Sequence, residues 1–117
     1  VAAHLAQHVF QVDQRRAQRD EIFIATRIRP CSPPFGDPAP AYLLNVSRFG
    51  FMARTELSPI DGSLISIELP ELGQLVGRKI WSMEQNIGAE FLEALDPTVY
   101  FNLLAAIAAE QRLAGAA

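Results

Sequence analysis

Between residues 21 and 92, turn-forming residues interrupt this chain so often that only short extended segments fit between them. Five prolines fall within residues 30–40. Ser47 to Gly50, the group Pro59, Asp61 and Gly62, then Pro70, and finally Asn86-Ile87-Gly88 mark further turns. Proline lacks the amide hydrogen that a ladder or helix uses, and Gly, Asn and Asp adopt turn conformations that other residues resist. A chain punctuated in this way builds short strands there rather than long helices.

The segments between the turns carry strand patterns. Ile22, Ile24, Thr26 and Ile28 alternate with Glu21, Phe23, Arg27 and Arg29, the period of a half-buried strand over 21–29. Residues 30–40 are predicted as a loop and 41–46 as a short apolar strand. Residues 51–54 restart an extended segment, and 63–69 form a strand closed by Pro70. Residues 74–84 hold Leu75, Val76, Ile80, Trp81 and Met83, with Gly77 marking a bulge or bend. Residues 89–92 run on from Asn86-Ile87-Gly88, which reads as a turn or as the start of that strand. Many short strands of this kind predict a small barrel or a sandwich.

After residue 95 the period changes. Asp96 suits a helix N-cap and Pro97 the first helical position. Val99, Tyr100, Leu103, Leu104 and Ile107 then share one helical face, and the helix is expected to fray near Gly115. Residues 1–14 have only the weak helical spacing of Ala2, Leu5 and Val9, and are expected to form a flexible N-terminal arm. The folded domain is then residues 15–117.

At 117 residues, half of them hydrophobic and 20% charged, the chain fits one globular domain. No apolar run approaches the roughly 18 residues that would span a membrane. The lone Cys31 has no partner for an internal disulfide and reads as a small loop or edge residue in a reducing, cytoplasmic setting. The net charge of −3 and the lack of a long basic stripe argue against nucleic-acid binding. His4 and His8 are four apart with no Glu arranged as in a zinc protease, and no Ser/His/Asp constellation is evident, so an enzyme is not expected.

Charge is unevenly placed. Residues 1–54 hold seven Arg against four acids, whereas residues 55–117 hold three basic residues against nine acids. Three of those arginines lie in Arg15-Arg16-Ala17-Gln18-Arg19, directly before the first strand pattern. A second motif, Asn45-Val46-Ser47-Arg48-Phe49-Gly50, joins two apolar runs, and Arg19 and Asn45 are 26 positions apart. Arginine offers a planar, permanently charged fork to phosphate or to a guanine edge. Asn supplies a donor and an acceptor, and Ser a hydroxyl. Asn45 and Ser47 share a face if the segment is extended. Gly50 permits a backbone shape or a close ligand approach that a Cβ resists. Taken singly, each motif also fits a solvated basic stretch or an ordinary turn.

Together, in this order, the two motifs resemble the ligand signature of the PilZ domain family, whose members bind the bacterial second messenger cyclic di-GMP. Arg15 and Arg19 match the family's arginine pair, with Arg16 between them adding charge or stacking. Asn45, Ser47 and Gly50 match its second motif. Ile80-Trp81-Ser82 and Ile87-Gly88-Ala89-Glu90-Phe91-Leu92 are similar to the family's late strands, and the likeness runs over roughly residues 14–115. It implies an all-β fold, a six-stranded antiparallel barrel with a C-terminal helix. It also implies cyclic di-GMP as the ligand, an arm that closes on the barrel when the ligand binds, and a downstream protein partner. The alternative is a PilZ-like interaction module that does not bind the nucleotide and docks through its acidic second half or its terminal helix. Asp20 and Glu21, directly after Arg19, are expected to face solvent or to pair with Arg27 or Arg29.

Overall fold

The computed structural model describes residues 20–116. The arm over 1–14, and with it Arg15, Arg16 and Arg19, lies outside the described residues. Six strands follow in order: β1 (Asp20–Pro30), β2 (Ala39–Val46), β3 (Gly50–Thr55), β4 (Leu64–Leu69), β5 (Gly73–Met83) and β6 (Asn86–Phe91). One helix, α1 (Pro97–Ala116), comes after them. The strands close into a barrel in the order β1-β2-β3-β6-β5-β4, and every neighbouring pair is antiparallel. The expected all-β architecture with its terminal helix is therefore the one the chain adopts. Among the described residues, no helix is long and apolar enough to cross a membrane.

Alternation builds the wall. In β1 the side chains of Ile24 and Ile28 are buried while Glu21, Phe23, Arg27 and Arg29 are exposed, as the period predicts. Leu43, Val46, Phe51, Ala53, Ile65, Ile67, Ile87 and Phe91 join them in one core. Helix α1 adds Tyr100, Leu103 and Ile107 from its predicted apolar face, with Val99 and Leu104 packed at the margin. Asp96 caps it: its carboxylate accepts from the Thr98 amide at 2.9 Å. Leu103 is fully enclosed, and burying a leucine contributes about 1.5–3 kcal/mol.

Two expectations are corrected. The loop expected over 30–40 is shorter, because Pro30 ends β1 and Pro40 lies within β2. Pro40 is tolerated because its carbonyl faces the β3 side, where it accepts from the Thr55 hydroxyl at 3.2 Å. The amide of a strand residue points to the same edge as its carbonyl, and the β2–β3 ladder has already ended at Ala41↔Thr55. The absent hydrogen is not needed there. In β5 the bulge falls between Lys79 and Trp81, not at Gly77. Gly77 serves close packing instead: a Cβ there would come within 3.0 Å of the Glu90 carbonyl oxygen.

The seam that closes the barrel is short. β1 and β4 pair only at Ile28↔Ile67, Arg29↔Ser66 and Pro30↔Ile65. Beyond this, the Thr26 hydroxyl donates to the Glu68 carbonyl. The first half of β1 is paired on its other side, with β2.

Candidate functional site

The second motif straddles the end of β2 and the turn into β3. The β2–β3 ladder shifts register between Leu43 and Asn45, so Leu44 and Asn45 together oppose Met52. The bulge turns Asn45 to the outer face beside Met52, while its neighbour Val46 packs inward against Phe51. Asn45 is only 7% exposed, yet no hydrogen bond engages its carboxamide among the described residues, and no buried side-chain polar atom there is left unsatisfied. Its polar atoms therefore retain contact with the surface. A nearly enclosed amide with no partner among the described residues is an unusual arrangement.

Ser47 is 3% exposed and begins the turn. Its hydroxyl oxygen accepts from the Phe49 amide at 3.1 Å, and its own amide donates to the Gly50 carbonyl at 2.9 Å. The oxygen thus holds the turn by accepting, and the hydroxyl keeps its donor capacity. Gly50 has a packing reason to be glycine. A Cβ there would run into the Ala89 carbonyl oxygen and lie 3.1 Å from the Glu90 Cα on β6. The ligand-approach role expected of Gly50 is not required to explain it.

Arg48 fastens this turn to the segment before α1. Its Nε donates to the Leu95 carbonyl, and the Leu95 amide donates to the Arg48 carbonyl, both at 2.8 Å. The guanidinium also lies over the Phe49 ring, 5.4 Å from the centroid. Sequence reading gave Arg48 no such part.

The start of β1 lies against the same turn. Asp20 pairs with Val46 and Glu21 with Asn45. The Asp20 carboxylate does not face solvent or pair with Arg27 or Arg29: its Oδ2 accepts from the Tyr100 phenol at 2.6 Å. The same phenol oxygen is 3.0 Å from the Val46 carbonyl, and one proton serves the two acceptors. Burial first, then the hydrogen bond to Asp20 and its charge, push the Tyr100 phenol well above its ordinary range. Glu21 is exposed, as expected. A buried tyrosine on a helix face calls for a hydrogen-bond partner, and that was the available signal for this contact.

Two further features went unread in the sequence. Phe23 and Tyr42 stack on the outside of β1 and β2, centroids 4.8 Å apart and planes within 8°. Lys79 points inward from β5 and is 2% exposed, donating to Asp61 and, at 3.0 Å, to the Ser82 hydroxyl. A shallow groove lined by Arg27, Arg29, Pro38, Glu68 and Gln74 lies over the second half of β1, and shares no residue with the motif. Glu68 sets one carboxylate beside its two arginines. Among the described residues, no group of His, Cys, Asp and Glu is placed to hold a metal ion.

Comparison of the chain with protein-family models and with curated proteins returns no match.

Proposed function

We propose that this chain is a PilZ-type regulatory domain that binds cyclic di-GMP where the Arg15–Arg19 motif meets the Asn45–Gly50 turn. One observation carries the reading: Asp20 and Glu21 pair with Val46 and Asn45. Arg19 is bonded to Asp20, so two motifs 26 positions apart in sequence begin from adjoining backbone. Arg15 is four residues further back, within roughly 14 Å of extended chain. A six-stranded antiparallel barrel with a following helix is also the architecture that the resemblance implies.

Chemistry supports the same reading. Arg15, Arg16 and Arg19 supply permanent positive charge for the two phosphates and flat forks for a guanine edge. The Asn45 carboxamide, without a partner among the described residues, offers a donor and an acceptor, and Ser47 a hydroxyl proton. Ligand binding draws residues 15–19 over the outer face of β1 and β2, and the changed surface is what a downstream protein reads.

The test is calorimetric titration of cyclic di-GMP into the wild type, Arg15→Ala and Arg19→Ala. Binding that is lost in both variants at unchanged melting temperature supports the proposal. No heat with the wild type overturns it and favours the interaction module. That second reading has its own observation: Phe101 and Leu113 on α1 stand 72% and 73% exposed, apolar side chains available to a partner protein.

A further inference from the structure

We infer that Phe23, braced by Tyr42, is the shelf on which a guanine base of the ligand lies. This rests on the cyclic di-GMP reading of the same site and names how the base is held.

Phe23 faces outward from β1 and is 58% exposed, while Tyr42 on β2 is 43% exposed. The two rings are nearly parallel, so each covers one face of the other. Tyr42 is opposite Ala25 on β1 and opposite Arg54 on β3, so the stack stands on the outer face of β1 and β2. Phe23 has Tyr42 on its Ala25 side. On β1, Phe23 lies at the register shift between the Ile24↔Leu43 and Glu21↔Asn45 rungs, so it neighbours the rung that holds Asn45.

The second observation is independent of the rings. At that rung sits the Asn45 carboxamide, 7% exposed and without a hydrogen-bond partner among the described residues. A base on Phe23 brings its polar edge to that amide and its flat face to an aromatic ring already held in place by Tyr42. The shelf adds no charge, which suits a base and not a phosphate. The arginines, arriving through Asp20, supply the phosphate contacts instead. Stacking tolerates any base, so discrimination falls to Asn45 and the arginine forks.

The experiment is titration of cyclic di-GMP into the wild type, Phe23→Leu, Phe23→Trp and Arg19→Ala, with the guanine H8 resonance followed by NMR. The expected result is an upfield H8 shift on the wild type. Phe23→Leu should weaken binding at least fivefold and remove the shift, while Phe23→Trp keeps both. Phe23 lies outside the buried core, so melting temperatures should be alike. Wild-type affinity in Phe23→Leu, together with loss in Arg19→Ala, overturns the shelf and leaves the ligand reading standing. Absence of binding to the wild type overturns both.

Discussion

The Tyr100 phenol, on the first turns of α1, lies 2.6 Å from the carboxylate of Asp20, eighty positions earlier at the start of β1. The same oxygen is 3.0 Å from the Val46 carbonyl, between Asn45 and Ser47. One helix side chain therefore clasps the residue that follows the arginine motif and the backbone of the polar one. The reciprocal Arg48–Leu95 bonds tie the segment just before α1 to the same turn.

Removing that phenol has a signed consequence with pH. The folded state raises the Tyr100 pKa, by burial first and then by Asp20. Its contribution is complete below about pH 10, where an unfolded tyrosine begins to ionise, and is lost as pH rises from there toward the folded value. Tyr100→Phe is expected to cost about 1–2 kcal/mol at pH 7 and to flatten the alkaline fall in stability. Urea denaturation from pH 7 to 11 reads both, and an alkaline limb identical to the wild type's would refute the assignment.

Gly50→Ala places a methyl group against the Ala89 carbonyl on the neighbouring strand. Backbone on both sides leaves little to yield, so a loss of about 2–3 kcal/mol is expected by chemical denaturation. An unchanged midpoint would show that β3 and β6 are further apart than described.

Asn45→Ala removes a carboxamide that bonds to no described residue. Stability should stay within about 0.5 kcal/mol of the wild type, while cyclic di-GMP affinity falls about tenfold or more. Paired melting and calorimetry separate the two effects, and a large stability loss with unaltered affinity would make Asn45 structural.

Lys79 and Asp61 form an unequal pair, with side chains 3% and 70% exposed. Asp61→Asn leaves an ammonium enclosed with only Ser82 and a neutral amide beside it, whereas Lys79→Met replaces it with an apolar chain of similar length. Asp61→Asn is expected to destabilise by about 1–3 kcal/mol, and Lys79→Met by less. Thermal melts that reverse this order would count against a charged lysine in the barrel wall.

What could be read in advance followed from local pattern. The strand period of Ile24 and Ile28, the cap at Asp96, and the buried face of Tyr100, Leu103 and Ile107 are properties of neighbouring residues, and each is found in the structure. Local pattern alone fits a barrel or a sandwich, and it is the family resemblance that selects the six-stranded barrel, because the closing pairs are non-local: β3 pairs with β6, and β1 with β4. The inward lysine was not legible. β5 turns Ile80, Trp81 and Met83 outward and Lys79 inward, the reverse of what hydropathy alone predicts. Of the candidate site, Asn45, Ser47 and Gly50 come together at one turn. The Asp20–Tyr100 clasp and the Phe23–Tyr42 stack join residues whose kinship only folding reveals.

The three-rung seam between β1 and β4 gives the barrel one stave fastened along both sides only at its far end. From Asp20 to Ala25 that stave is laddered to β2 alone, so it is the slat that can lift at the least cost to the other ladders. The slat is the one joined to the arginine motif, and Tyr100 is its latch.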